Sequence, residues 1–138
     1  MKVFLDTNMI LDVLREREPF VHCARRVWLM AEHGKILGQV SVLSFANIYY
    51  IARKYKGAGP AVQMLRTLRA NFTLVPCDEH VIDRALAAEL PDFEDAIQYF
   101  SALRAKADCL LTRDPSHYPG VSLGILSPEQ FLATYMPE

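Results

Sequence analysis

Disulfide-forming capacity is scarce in this chain. Cys23, Cys77 and Cys109 are odd in number, far apart and set among apolar or helical neighbours, so they read as reduced thiols in or beside a core. His22, His33, His80 and His117 have no paired cysteines and no H-E-x-x-H helix to accompany them, which disfavours zinc. No apolar run approaches the roughly 20 residues that span a bilayer. Met1-Lys2 leads straight into a short apolar segment rather than a signal peptide, so a cytoplasmic protein with no membrane role is expected. There is no G-x-x-x-x-G-K-[ST] loop and no Gly-rich dinucleotide fingerprint, which leaves nucleotide-driven chemistry without support. Charge of one sign is lacking too: 15 Lys and Arg face 16 Asp and Glu, for a formal net charge of -1. The whole molecule therefore does not advertise a polyanion partner.

What is present is an apolar, evenly mixed chain of 138 residues, 51% hydrophobic and 22% charged. That is enough to bury roughly 68 to 70% of the unfolded surface, and no repeat or linker divides residues 1–138, so one globular domain is expected. Strand and helix patterns alternate, which predicts an α/β fold. Strands are expected at Lys2 to Leu5, Ile36 to Val42, Phe72 to Val75, Asp108 to Leu111 and Val121 to Ile125. Their continuous Val, Ile, Leu and Phe character suits a parallel sheet covered on both faces. Helices are expected at Asn8 to Glu16, Pro19 to Glu32, Leu43 to Tyr55, Gly59 to Ala70, Glu79 to Glu89 and Phe93 to Ala107. Gly57-Ala58-Gly59-Pro60 breaks the third from the fourth, Asp78 and Asp92 can cap the fifth and sixth, and Ser127-Pro128-Glu129-Gln130 is a capping-box start for a last helix.

The most informative feature is where the acids stand. Val3-Phe4-Leu5 stops at Asp6, and Leu110-Leu111-Thr112-Arg113 leads to Asp114 in the same manner. Ligands of an open parallel sheet gather outside the carboxyl ends of its strands, so two such strands bring both acids to one edge, where a divalent cation can sit. Pro91-Asp92-Phe93-Glu94-Asp95 opens a helix between them and can supply a third carboxylate. Singly, each acid is explained as a helix cap or as a first-turn charge favoured by the helix dipole. Jointly they require more, because carboxylates within about 4 Å repel by roughly 4 kcal/mol at an effective dielectric near 20 and need protons, a cation or another partner. Helical periodicity alone turns Asp95 roughly 140° away from the apolar face defined by Phe93, Ala96, Ile97, Phe100, Leu103 and Ala107.

Basic residues crowd the first half: Arg15, Arg17, Arg25, Arg26, Arg53, Lys54, Lys56, Arg66 and Arg69. Their ordinary reading is a solvated helix surface. Beside a metal-binding acidic edge, Arg15, Arg17, Arg53 and Lys54 become candidate phosphate contacts. Trp28, Met30, Phe45, Tyr49, Tyr50, Phe93 and Phe100 fall mostly on apolar helical stripes and are expected in the core or at an interface rather than stacked on bases.

Leu5-Asp6-Thr7-Asn8, Asp95-Ala96-Ile97 and Leu111-Thr112-Arg113-Asp114, taken in this order, resemble a PIN-domain ribonuclease, in particular the small VapC-like toxins of bacterial toxin-antitoxin pairs. The resemblance covers essentially the whole chain. It implies a three-layer α/β/α fold with a central parallel sheet of four to five strands, and magnesium- or manganese-dependent hydrolysis of RNA phosphodiesters. It also implies a small antitoxin partner and a homodimer. Carried across by position, Asp6, Asp95 and Asp114 are the metal-site acids, with Asn8 and Thr112 as neighbouring polar residues and Glu94 as an auxiliary acid. Asn47 stands where many members of the family carry Glu. Its amide oxygen can coordinate or hydrogen-bond but cannot offset a cation's charge.

Two other readings compete with a ribonuclease. Asn47 favours a catalytically weak PIN-like module that binds RNA or a protein. Asp6-Thr7-Asn8 after a strand also resembles the nucleophile loop of phosphoaspartyl hydrolases of the haloacid-dehalogenase type, although that loop normally carries an acid where Asn8 stands.

Overall fold

The computed structural model describes residues 1–118 and 121–135. Five strands, β1 (Lys2–Leu5), β2 (Leu37–Ser41), β3 (Thr73–Val75), β4 (Cys109–Leu111) and β5 (Gly124–Leu126), form one sheet in the order β3-β2-β1-β4-β5. All four pairings are parallel. The chain winds outward from β1 to β3, then crosses back to place β4 on the other side of β1. The strand order therefore reverses between β1 and β4, and the crevice outside their carboxyl ends is where such a sheet takes ligands.

Alternation along β1 sorts the two cores. Val3 and Leu5 face a layer containing Met9 and Ile10 of α1 (Thr7–Leu14), Val27 and Trp28 of α2 (Val21–Glu32), and Ile48 of α3 (Val42–Lys56). The same layer receives Leu68 of α4 (Ala58–Asn71) and Phe131 of α7 (Pro128–Tyr135). Phe4 faces the opposite layer, with Val81 and Ala85 of α5 (Glu79–Ala88) and Ala96, Ile97 and Phe100 of α6 (Phe93–Arg104). Phe4 and Leu5 are essentially inaccessible, and burial of each contributes about 1.5 to 3 kcal/mol. This is the expected three-layer arrangement with a five-stranded parallel sheet. No helix of the described residues is long and apolar enough to cross a membrane.

Local signals explain the boundaries. Gly57, at φ 89°, alone separates α3 from α4, so the helical break is one residue rather than the three left between the expected helices. Pro60 is tolerated in the first turn of α4, where its missing N–H has no helical acceptor. At α7 the capping box forms in both directions: Gln130 N–H donates to Ser127 Oγ at 3.1 Å, and Gln130 Oε1 accepts from Ser127 N–H at 2.9 Å.

The last strand departs most from its expected range of Val121 to Ile125. Register with Cys109–Leu111 selects Gly124–Leu126. Ser122 is instead held by α6, its N–H donating to the Tyr99 hydroxyl at 3.2 Å. Two of the aromatics expected in the core or at an interface are on the surface of the single chain. Phe93 is 45% exposed because it opens α6, and Tyr50 is 68% exposed on α3, so neither lies in the core. The three thiols are unpaired, Cys109 being buried and Cys23 and Cys77 partly so.

Candidate active site

Asp6 follows β1 and caps α1. Its N–H donates to Leu111 O at 2.9 Å, which ties the ends of β1 and β4 together. The residue is only 7% exposed, yet its carboxylate is surrounded by donors. Oδ1 accepts from Thr7 N–H at 2.7 Å and from Gln98 Nε2 at 3.2 Å. Oδ2 accepts from the Thr112 hydroxyl at 2.9 Å and faces the Tyr118 hydroxyl at 3.4 Å.

Asp95 reaches the same place from α6. The Asp92 side chain caps that helix by accepting from Asp95 N–H at 3.0 Å, which sets Asp95 in the first turn at the edge of the sheet. There its side chain is 16% exposed, so the first-turn position overrides the outward direction expected from periodicity. The Tyr118 hydroxyl lies 3.5 Å from Asp95 Oδ1, between the two acids. Burial, reinforced by repulsion from Asp6 and Asp92, pushes the Asp95 carboxyl up to about 6, against the opposing pull of His117 and the Tyr118 hydrogen bond. Burial between these acids likewise raises the Tyr118 phenol.

Asp114 is placed differently. It precedes a short 3-10 turn, Pro115–His117, where the Ser116 hydroxyl donates to its Oδ1 at 2.6 Å and His117 Nε2 lies 2.9 Å from its Oδ2. Its side chain is about half exposed, and the Ser116 hydrogen bond is the first cause of a lowered carboxyl pKa. His117 Nδ1 stands 3.6 Å from Asp95 Oδ2, so the imidazole bridges the two acids.

Beneath the carboxylates lies a buried network that the sequence did not single out. Gln98 is 2% exposed. Besides Asp6, its Nε2 donates toward Thr7 Oγ1 at 3.1 Å and Ser44 Oγ at 2.8 Å, and its Oε1 accepts from the Ser41 hydroxyl at 2.6 Å. Thr7 Oγ1 and Ser44 Oγ are 2.6 Å apart. One amide thus connects the ends of β1 and β2 with α3 and α6. The available signal was a polar residue inside Ala96-Ile97-Gln98-Tyr99-Phe100.

Above the network opens a groove of about 520 Å³ whose lining includes Asp6, Asn47, Tyr50, Glu94, Asp95 and His117. Asn8 also lines it, and its Oδ1 accepts from Arg113 N–H at 3.4 Å. Thr112 is buried behind Asp6, as a residue that orients it. The structure therefore brings Asp6, Asp95, Asn47, Asn8 and Glu94 to one groove, with Thr112 in support. The Asp114 side chain joins through His117, while its backbone N–H donates to the Thr112 hydroxyl at 3.3 Å. A depression of equal size at the amino ends of the strands, around Lys35, Arg69 and Phe72, has no acid in its lining.

None of the four candidate phosphate contacts lines the acidic groove. Arg15 lies 4.0 Å over the Tyr55 ring and, with Tyr55 and Lys56, lines a smaller depression that shares Leu11 with the groove. Arg53 and Lys54 are exposed near the end of α3. Arg17 lies 3.8 Å from Asp12, a 1% exposed carboxylate gripped by Arg113 through two hydrogen bonds of 3.2 and 2.6 Å.

Among the described residues, no three His, Cys, Asp or Glu side chains converge as a ligand group. Asp6 and Asp95 nevertheless suit a hard cation that takes one or two carboxylates and completes its shell with water and phosphate oxygens. The donors are oxygens, and the charge that burial and two neighbouring acids make unfavourable on Asp95 is what a cation offsets.

A PIN-domain family model matches residues 2–116. No curated protein sequence matches the chain. Among solved structures, VapBC-1 from nontypeable Haemophilus influenzae superposes with a TM-score of 0.72 at 17% identity, over 94% of this chain and 99% of that one. A toxin-antitoxin complex from Klebsiella pneumoniae gives 0.69 at 21% identity, over 91% and 97%. Mycobacterium tuberculosis VapC20, a toxin that cleaves the sarcin-ricin loop, gives 0.68 at 13% identity, over 86% and 96%.

Proposed function

Because the chain belongs to the PIN-domain family, we propose that it is a metal-dependent endoribonuclease and the toxin of a toxin-antitoxin pair, acting in the cytoplasm as a single domain. The carrying observation is the meeting of Asp6 and Asp95 around the Tyr118 hydroxyl at the point where the sheet order reverses. In this reading Asp6 and Asp95 hold magnesium or manganese. When bound, the cation lowers the pKa of a water and neutralises charge on the attacked phosphate.

The chain's own residues prepare that site. Thr7 N–H, Gln98 and Thr112 fix the direction of the Asp6 carboxylate. The Asn47 amide, which makes no side-chain hydrogen bond among the described residues, is free to meet a water or a phosphate oxygen. Asp114 acts through His117, which it holds beside Asp95. Asn8 steadies the start of the Arg113-Asp114 segment, and Glu94 adds negative charge at the rim. Arg15, Arg17, Arg53 and Lys54 serve RNA phosphates outside the groove, because the acids repel a polyanion until a cation is present. An antitoxin partner is supported by the similar structures having been solved as toxin-antitoxin complexes. A homodimer is supported by exposed apolar side chains on α3, including Val42 and Tyr50.

The test is cleavage of a pool of structured and single-stranded RNA with magnesium, manganese or chelator. Wild type is compared with Asp6→Asn and Asp95→Asn after both variants are shown to fold. Metal-dependent cutting abolished in both is expected, and cutting that persists in chelator overturns the reading. RNA retention without cleavage by a manganese-loaded protein selects the second reading, a PIN-like binding module, which Asn47 and the two-carboxylate site favour.

A further inference from the structure

The Asp6 carboxylate lines the groove but is crowded by protein donors. A carboxylate offers about four lone-pair positions, and Asp6 faces four protein donors: Thr7 N–H, Gln98 Nε2, and the Thr112 and Tyr118 hydroxyls. Two of them are fixed, and Gln98 is held in place with its two N–H groups shared among Asp6, Thr7 and Ser44. Thr7 N–H belongs to the first turn of α1. The Thr112 hydroxyl oxygen accepts from Asp114 N–H at 3.3 Å, which directs its proton to Asp6. Gln98 is buried and anchored through Ser41 at 2.6 Å.

Tyr118 is different. Its hydroxyl lies 3.4 Å from Asp6 Oδ2 and 3.5 Å from Asp95 Oδ1, whereas a good hydroxyl hydrogen bond is about 2.7 to 2.8 Å. One proton cannot serve both acids, so the oxygen turns a lone pair toward whichever carboxylate it does not donate to. The ring packs in the core beneath α5 and α6 and is 4% exposed, so in the absence of a ligand this poorly bonded oxygen stands between the two carboxylates.

Resting on the metal reading above, we propose that the Tyr118 hydroxyl is a placeholder in the cation position, and that a divalent ion gains Asp6 by displacing it. Tyr118 is then a positioning residue that opposes binding: it satisfies the acids while the metal is absent and lowers affinity for it. A purely structural tyrosine has the opposite signature, since removing its hydroxyl loosens the site and weakens the metal.

The experiment is calorimetric titration of manganese into chelator-stripped wild type and Tyr118→Phe, with a thermal melt of each. Phenylalanine keeps the ring in the core and deletes only the competing oxygen. Binding about three- to tenfold tighter in Tyr118→Phe is expected, the equivalent of one displaced hydrogen bond. Tyr118→Leu serves the same comparison if the phenylalanine variant does not fold. Equal or weaker binding in the variant overturns the placeholder and leaves the metal reading intact. Binding by the variant alone supports it most strongly. Absence of binding in both proteins overturns the placeholder together with the metal reading.

Discussion

Asp95→Asn is expected to stabilise the metal-free protein while removing a carboxylate of the proposed cation site. The Asp95 carboxyl is raised from 3.8 to about 6 by burial and by Asp6 and Asp92. A folded-state value above the unfolded one means that the folded protein holds the proton more tightly. The associated stability is fully present below about pH 4, declines as pH rises, and is lost above about pH 6. The span corresponds to about 3 kcal/mol at 1.36 kcal/mol per pH unit, and the 16% exposure of the side chain leaves little solvent to screen it. Asparagine keeps the shape without the charge. It forgoes about 0.5 to 1 kcal/mol of favourable interaction between a first-turn acid and the helix dipole. The net gain at pH 7.5 is therefore about 2 kcal/mol, or roughly 7 °C in melting temperature for a chain of this size. The assay is urea unfolding in chelator from pH 4 to 8. Wild type should lose stability between pH 4 and 6 and Asp95→Asn should hold a flatter profile, with the two converging at pH 4. Saturating magnesium should narrow the gap at pH 7.5 by stabilising only the wild type. An asparagine variant no more stable than wild type at pH 7.5 without metal would refute the argument that Asp6 and Asp92 make the Asp95 charge unfavourable.

Two further perturbations probe the frame around the site. Arg113→Met leaves the buried Asp12 carboxylate with only Arg17 at 3.8 Å, and should cost about 3 kcal/mol at pH 7, while Asp12→Leu should cost less because Arg113 and Arg17 are each about a third exposed and retain water. Burial already raises the Asp12 pKa, so the Arg113→Met deficit should shrink as pH falls; equal urea-melt losses for the two variants would contradict this asymmetry. Gly38→Ala drives a Cβ into the Phe72 ring, which itself packs edge-on against Trp28 at 4.9 Å, so a loss of about 1 to 3 kcal/mol is expected, and an unchanged melting temperature would mean that the ring yields freely.

Most elements, and which of their ends carry acids, were legible in the order of residues alone. Periods of 2 and 3.6 residues are local properties, so β1, the helical runs, the Asp92 cap and the Ser127 capping box could be read from neighbours a few positions apart. The approach of Asp6 to the first turn of the helix that opens at Phe93 was legible too, because a parallel sheet collects ligands at the carboxyl ends of its strands. What meets there was set by the packing of the elements. Gln98 touches Asp6, Thr7, Ser41 and Ser44 only because the crossover lays α6 over the ends of β1 and β2. Tyr118 stands between Asp6 and Asp95 although 112 and 23 residues separate it from them. Asp114, whose position matched that of Asp6 at the end of a strand, is drawn toward His117 and Ser116 by the turn that follows it. Such choices depend on sheet order and on competition among hydrogen-bond partners distant in sequence, and no local periodicity encodes them.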